Sequence, residues 1–80
     1  MRITYDPEAN VLYIELRSAE PANSVDFEEG VTADLDSEGH IIGLEILDAR
    51  ERLGEQSLAS ISYEQLVTDN TPQPSHSASK

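Results

Sequence analysis

An acidic stretch, DLDSEGHIIGLE at residues 34–45, carries the side chains in this chain that are best suited to chemistry. Five of its residues stand at positions 1, 3, 5, 6 and 12 of a twelve-residue window: Asp34, Asp36, Glu38, Gly39 and Glu45. In the calcium loop of an EF-hand these positions hold oxygen ligands, a tight-turn glycine and a bidentate glutamate. The spacing therefore raises two hypotheses, a cation-binding loop and an acidic β-turn.

The segments on either side of this stretch favour the turn. A calcium loop lies between two helices, whereas the preceding Val31 and Thr32 are β-branched and favour a strand. The residues that follow alternate through Ile46 with the period of two that is typical of a strand. Gly39 can adopt the positive φ that a hairpin turn requires. We predict a β-hairpin, with weak cation binding by its carboxylates as an alternative.

Catalytic readings of the same residues are less well supported. Ser37 and His40 lie three residues apart, but a nucleophile needs a base within hydrogen-bond reach and a third group that orients the base. Asp34, Asp36 and Glu45 could form a carboxylate pair for acid–base catalysis. Such a pair needs a desolvated cleft that separates the two pKa values, and a sheet of this size offers little room for one. We expect no enzyme, no catalytic residue, no cofactor and no resident metal.

The elements that position the acidic stretch are predicted to be strands. RITYDPEANVLYIELR reads as a hairpin that reverses at DPEAN, where Pro7 fixes its φ and Asn10 tolerates the left-handed region. SVDFEEG is a candidate short strand that ends at Gly30, and VTADLD and HIIGLEIL alternate on either side of the DSEG turn. We therefore predict an antiparallel meander of four to five strands in an α+β, mostly β, domain.

Two short helices are predicted after the strands. In DARERLG, Asp48 and Glu51 form a capping box and Gly54 is the stop. In SYEQLV, Ser62 and Gln65 form a second box. The last twelve residues contain no large apolar side chain, and we predict one domain over residues 1–68 and a disordered tail over residues 69–80.

The charge of the chain limits its partners. Sixteen acidic and five basic residues give a net charge of −11, which opposes nucleic-acid binding because that binding neutralises phosphates with Lys and Arg. A basic protein is a more suitable partner. No apolar run approaches the length of a signal peptide or of a membrane span. We expect a cytoplasmic protein that does not bind membranes.

Self-association is predicted from size and from the second face of the sheet. About 65 foldable residues without any cysteine make a domain that is marginal by itself. Val11, Tyr13, Ile41 and Leu47 make the second face too apolar to remain in water. Either the C-terminal helices cover that face, or another copy of the chain does.

Residues 2 to about 53 resemble a family of small prokaryotic proteins, the domain of unknown function 2283 family. The resemblance rests on RITYDPEANVLYIELR and GVTADLDSEGHIIGLEILDARERL. It implies a compact antiparallel sheet with a short helix, and it implies no activity. The matching positions are Ile3, Tyr5, Asp6, Asn10, Leu12, Tyr13, Ile14, Gly30, Val31, Asp34, Asp36, Gly39, Gly43, Leu44, Glu45, Ile46, Leu47, Asp48 and Ala49.

Three functional hypotheses follow from the sequence. The first is a non-enzymatic interaction module that self-associates as a homo-oligomer, most simply a dimer. The second is an acidic, antitoxin-like partner of a basic protein, which rests on the charge and on analogy alone. The third is weak cation binding or carboxylate catalysis by residues 34–45.

Overall fold

The computed structural model describes residues 1–67, which form one antiparallel sheet followed by two short helices. The predicted mostly β fold class is confirmed. The predicted tail at residues 69–80 lies outside the described residues. The strands are β1 (Arg2–Asp6), β2 (Val11–Glu15), β3 (Asn23–Glu28), β4 (Val31–Leu35) and β5 (Ile41–Leu47), and the helices are α1 (Ala49–Leu53) and α2 (Glu55–Ala59).

The strand order is β1-β2-β5-β4-β3, so the sheet is antiparallel but is not a simple meander. The predicted sequential order is wrong because β5 lies between β2 and β4. Residues 16–22 carry the chain from β2 to the far edge of the sheet. Along this path the Leu16 amide donates to the Ile42 carbonyl at 2.8 Å, and the Ala22 amide donates to the Leu35 carbonyl at 2.8 Å. The longest apolar strand thereby becomes the centre of the sheet.

The strand register separates apolar and charged side chains onto opposite faces. Leu12 and Ile14 of β2 pair with Ile46 and Leu44 of β5, and Ala33 of β4 pairs with Leu44 on its other side. We call the surface that these residues share the apolar face. Its members are Ile3, Tyr5, Leu12, Ile14, Val25, Val31, Ala33, Ile42, Leu44 and Ile46.

The opposite surface, which we call the charged face, carries the remaining strand side chains. Its charged members are Arg2, Asp6, Glu15, Asp26, Asp34 and Glu45. Glu28 lies in a β-bulge at the margin of the sheet, where it pairs with Arg52 of α1 at 2.7 Å. Glu28 pairs with Val31 of the apolar face, so it is the charged strand residue at the margin of that face, and Arg52 balances its charge.

The hydrophobic core is small. Among residues 1–67 the buried apolar side chains are Leu12, Ala33, Ile42 and Ala49, and two of these four are alanines. Domains gain their stability by packing two layers of secondary structure around a core. The described part of the chain supplies one full layer, the sheet, and two helices of five residues each.

The helices differ from their prediction in two respects. Asp48 has a left-handed φ of 53° and makes no side-chain capping bond, so the predicted capping box is wrong, although Gly54 ends α1 as expected. The second helix spans Glu55–Ala59 rather than SYEQLV, and the chain from Ser60 to residue 67 has no regular structure. A capping box is only a local preference, and helices this short depend on tertiary contacts that residues 62–67 do not make. Neither helix is long and apolar enough to cross a membrane.

Candidate functional site

The acidic stretch is a β-hairpin, as predicted. Its turn, between β4 and β5, is organised by the carboxylate of Asp36, which accepts the backbone N–H groups of Glu38 and His40, both at 2.9 Å. The Gly39 amide donates to the Asp36 carbonyl at 3.0 Å, and Gly39 has a φ of 87°. The flanking elements are strands, so an EF-hand is excluded.

The Asp36 carboxylate also forms an ion pair with Arg17. The backbone N–H of His40 is the main reason that the pKa of Asp36 is lowered, and the N–H of Glu38, the imidazole of His40 and the charge of Arg17 add to it. These groups all favour the ionised carboxylate. Asp36 therefore connects the hairpin turn to the chain that leaves β2.

Asp34 is committed to a different contact, on the charged face. It accepts a hydrogen bond from the Tyr13 hydroxyl at 2.8 Å. This bond raises the pKa of Tyr13 to about 12, with further contributions from burial and from the carboxylates of Asp34, Glu15 and Glu45. The ring can reach across β5 because Gly43 has no side chain, since a Cβ atom at this glycine would lie 2.6 Å from Cζ of Tyr13.

The four candidate cation ligands do not converge. Asp34 faces Tyr13, Asp36 holds the turn, Glu38 is 78% exposed and Glu45 lies on the charged face. Within residues 1–67 no three acidic or histidine side chains are grouped so that they could hold a metal ion. The geometry of the described residues thus gives the cation hypothesis no support.

Ser37 and His40 are not arranged as a nucleophile and its base. Both are exposed, and the His40 imidazole faces carboxylates instead, with Nδ1 at 3.7 Å from Asp36 and 3.8 Å from Glu38. These distances are longer than a hydrogen bond. Within residues 1–67 this exposure gives the chemistry that their spacing suggested no support.

A contact that sequence reasoning missed is centred on Asn10, in the β1–β2 turn. Its Oδ1 atom accepts the Arg50 backbone N–H and the Tyr5 hydroxyl, both at 2.9 Å, and its Nδ2 donates to Glu51 at 2.8 Å. Its carbonyl accepts the Ala49 N–H at 3.1 Å. Asn10 thus supplies the N-terminal capping bond of α1 that Asp48 does not make. We call this set of contacts the Asn10 clamp.

The Asn10 clamp also sets the electrostatics of α1. The amide of Asn10 is the main cause of the lowered pKa of Glu51, followed by the backbone N–H of Glu51 and the charge of Arg50. Arg50 in turn donates to the Tyr5 hydroxyl at 2.9 Å and to the Pro7 carbonyl at 3.2 Å. The sequence signal for this turn is the asparagine itself, because asparagine tolerates the left-handed φ of 61° that the structure shows. That signal does not predict the contact with α1.

The apolar face is the most extensive feature that could bind another molecule. Ile3 on one edge strand is 36% exposed and Val25 on the other is 45% exposed, and Phe27 in the bulge is 58% exposed. Leu58 and Ala59 of α2 border the same groove as Tyr5 on β1, and Arg52 of α1 pairs with Glu28 beside the β3–β4 turn. Among the ten members of this face Leu12, Ala33 and Ile42 are buried, and the exposed members, Ile3 and Val25, lie on the two edge strands.

Of the two coverings predicted for the second face, the structure argues against the C-terminal helices, and covering by another copy stays a prediction. The C-terminal helices reach Tyr5 on the apolar face, so they do not cover the Val11, Tyr13, Ile41 and Leu47 side. Tyr13 instead lies over Gly43 within the sheet. Ile41 and Leu47 are about 40% exposed, at 41% and 40%. Both faces of the sheet therefore keep exposed apolar side chains, Ile3 and Val25 on the apolar face and Ile41 and Leu47 on the other.

Comparisons with known proteins identify a family and no function. A family model described as "Protein of unknown function (DUF2283)" matches residues 2–50. Neither a curated protein nor a solved structure matches the chain. The matched range holds all five strands and the Asn10 clamp up to Arg50. The resemblance inferred from the sequence is confirmed, and the chain belongs to this family of proteins of unknown function.

Proposed function

We propose that this protein is a non-enzymatic interaction module that self-associates through its apolar face. The observation that carries the proposal is the separation of side chains in the sheet. The ten members of the apolar face are uncharged and extend over five strands, and the face is exposed at Ile3 and Val25 on its two edge strands. Exposed apolar patches of this kind mark interaction surfaces. A second copy brings a face of the same chemistry, so an isologous pair completes two layers.

The size of the face is compatible with a dimer. Five strands with a spacing of ~4.8 Å and five residues of ~3.3 Å each give a flat footprint of roughly 400 Å² per copy. Side-chain relief and the exposed Phe27 enlarge the accessible area beyond that footprint. The flat footprint alone is about half of the roughly 800 Å² per partner that a standard-size specific interface buries. A modest affinity is expected.

Paired variants test the proposal. Ile3→Glu introduces a charge on the apolar face, and Thr4→Glu introduces the same charge on the opposite face of the same edge strand. Sedimentation of the full chain at tens of micromolar should show a two-chain species for the parent and for Thr4→Glu, and a single chain for Ile3→Glu. Circular dichroism confirms that each variant is folded. A parent that stays monomeric contradicts the proposal.

A second candidate function is favoured by the charged face. Its charged strand members are five carboxylates and one arginine, and such a surface suits a basic protein. This role is compatible with self-association, because it uses the other side of the sheet. Glu15→Gln with Glu45→Gln should weaken capture of a basic protein in pull-downs, and added salt should weaken it steeply. Capture that ignores both changes would count against the role.

A further inference from the structure

The first strand, β1, is an edge strand with a regular and exposed outer side. Within residues 1–67 it pairs only with β2, so its other side carries unpaired backbone N–H and C=O groups. Four of its five residues are exposed, and its pairing with β2 shows no shift in register. A regular edge of this kind is a template to which another strand can add.

The other edge strand, β3, is protected against such pairing. A register shift between Asp26 and Glu28 interrupts it, and a bulge of this kind bends an edge away from an incoming strand. Its two charged residues are both acidic, so a second copy of β3 would bring like charges together. The edge at β1 has neither of these protections.

Arg2 on β1 has no polar partner among the described residues. The other arginines of residues 1–67 each make a hydrogen bond or an ion pair, namely Arg17, Arg50 and Arg52. Glu15 lies opposite Arg2 on β2, but no ion pair joins the two within the described part of the chain. In a protein with sixteen acidic residues, an unpaired arginine at a sheet edge indicates that a carboxylate can meet it from outside.

Asp6, at the other end of β1, keeps one carboxylate oxygen available. Its Oδ1 atom accepts the backbone N–H groups of Glu8 and Ala9, at 3.0 and 3.2 Å, whereas its Oδ2 atom accepts no hydrogen bond within residues 1–67. Arg2 and Asp6 lie on the same face of the sheet, the charged face. β1 therefore presents one cation and one carboxylate oxygen, four residues apart, that the described chain does not pair.

We propose that two copies of this chain pair edge to edge through β1, in an antiparallel register centred on Thr4. Arg2 of each copy then lies opposite Asp6 of the other, and Ile3 lies opposite Tyr5. The two-fold axis is perpendicular to the sheet, so the two sheets become one continuous sheet with both apolar faces on the same side. This pairing uses the strand edge and does not rest on contact between the apolar faces.

The charges select this register over its neighbours. Pairing centred on Ile3 sets Arg2 opposite Thr4, and it leaves both charges unpaired. Pairing centred on Tyr5 sets Asp6 opposite Thr4 with the same result. A shift by a single residue would place the apolar face of one copy level with the charged face of the other.

The charges also favour a second copy over the C-terminal part of the same chain. Residues 54–79 contain no lysine or arginine, so they offer no cation to Asp6. A second β1 carries both signs at the required spacing of four residues. The contact joins only five residues of each chain, so a method that traps weak association is the suitable test.

Disulfide trapping provides that test, because the chain has no native cysteine. Thr4→Cys places one thiol of each copy at the two-fold axis, where directly opposite Cβ atoms are about 4.5–5.5 Å apart and a small shift allows a disulfide. The matched control is Ser24→Cys, because Ser24 is an exposed hydroxyl residue on the charged face of the other edge strand. A third protein combines Thr4→Cys with Arg2→Glu, which sets a glutamate opposite Asp6. The full-length proteins are oxidised at the same high concentration.

We expect a disulfide-linked dimer from Thr4→Cys, and loss of most of it in the Arg2→Glu background and with Ser24→Cys. Equal yields from the two single variants would indicate random collision and overturn the pairing, and an undiminished yield with Arg2→Glu would overturn its register. A Thr4→Cys protein that stays monomeric, for example because residues 60–67 cover β1, would also overturn it.

Failure of this pairing is distinguishable from failure of the proposed function. When two apolar faces meet, Thr4 points away from the other copy because it lies on the charged face, so that contact does not produce the Thr4→Cys disulfide. A two-chain species in sedimentation without the disulfide would refute edge pairing and leave the face contact standing. A disulfide from a protein whose association does not respond to Ile3→Glu would do the reverse.

Discussion

The Asn10 clamp makes the sharpest prediction about stability. Asn10→Gly removes three side-chain hydrogen bonds, to Tyr5, to the Arg50 N–H and to Glu51, while it keeps a residue that accepts the φ of 61°. Loss of a helix cap costs about 1 kcal/mol, and each remaining bond is worth about 1 kcal/mol or less when partly exposed. We expect the free energy of unfolding to fall by about 2 kcal/mol.

Two further substitutions separate the causes. Asn10→Ala loses the same bonds and also places a Cβ atom in the left-handed region, which adds about 1 kcal/mol. Asn10→Asp keeps an oxygen acceptor for Tyr5 and Arg50 but places a second carboxylate beside Glu51. Its loss of stability should be smaller than that of Asn10→Gly, and it should decrease as the pH falls because protonation removes the repulsion between the two carboxylates. Glu8→Ala, in the same turn, is the control and should stay within about 0.5 kcal/mol of the parent.

Urea unfolding followed by circular dichroism measures these differences. All variants must be compared at one protein concentration, because self-association would add to the apparent stability. The predicted order of stability is parent, Asp, Gly, Ala. An Asn10→Gly protein as stable as the parent would show that the Asn10 clamp contributes nothing. Equal values for Gly and Ala would refute the strain argument.

Three predictions concern the charged face and the hairpin turn. Tyr13 should ionise near its raised pKa of about 12 in a phenolate absorbance titration, and Asp34→Ala should return that pKa toward 10. Because the pKa is raised, the hydrogen bond of Tyr13 to Asp34 contributes its full stability below pH 10. That contribution is lost as the pH rises through about 12. Gly43→Ala should cost about 1–3 kcal/mol by overpacking against Tyr13, and Tyr13→Ala in the same chain should remove most of that cost, which a double-mutant cycle in urea detects. The pKa of Asp36 is lowered in the folded protein, so its carboxylate stabilises the fold above the unfolded pKa, and this stabilisation is lost as the pH falls through the folded pKa. Asp36→Asn should therefore flatten the acid side of a curve of stability against pH measured by thermal unfolding.

Local features of the fold could be predicted from the sequence, because each depends on neighbouring residues. The alternation in VTADLD and HIIGLEIL and the turn glycine between them define the β4–β5 hairpin without help from the rest of the chain. The same reasoning found the β1–β2 hairpin and the end of α1 at Gly54. The family motif strengthened both hairpins.

Non-local features could not be predicted in this way. The position of β5 between β2 and β4 depends on how residues 16–22 cross the sheet, and no local pattern encodes that path. The cap of α1 comes from Asn10, forty residues before Arg50, so a search for capping boxes near the helix finds Asp48 instead. The helix predicted at SYEQLV failed for a related reason, since its box had no tertiary contact to support it.

The apolar face was visible in the sequence only as strand alternation, which is typical of any half-buried sheet. That pattern predicts a covered side and an exposed side, but it does not say what supplies the cover. In the structure α1 and α2 have five residues each, and Ile3 and Val25 on the two edge strands remain exposed. The candidate interaction site is therefore a property of the architecture, in which the edge strands of one broad sheet keep apolar side chains exposed.

The net charge of −11 provides a test of which face forms the dimer. Repulsion between the two chains opposes association only where their charged faces lie close together. If the apolar faces meet at the usual sheet separation of ~10 Å, the two charged faces point away from each other. The distance between them then exceeds the Debye length of ~8 Å at physiological ionic strength, so their repulsion is largely screened. We expect the dimer dissociation constant to change little between moderate and high salt in sedimentation experiments. If the charged faces formed the contact, added salt would strengthen association markedly, and that result would contradict the arrangement proposed here.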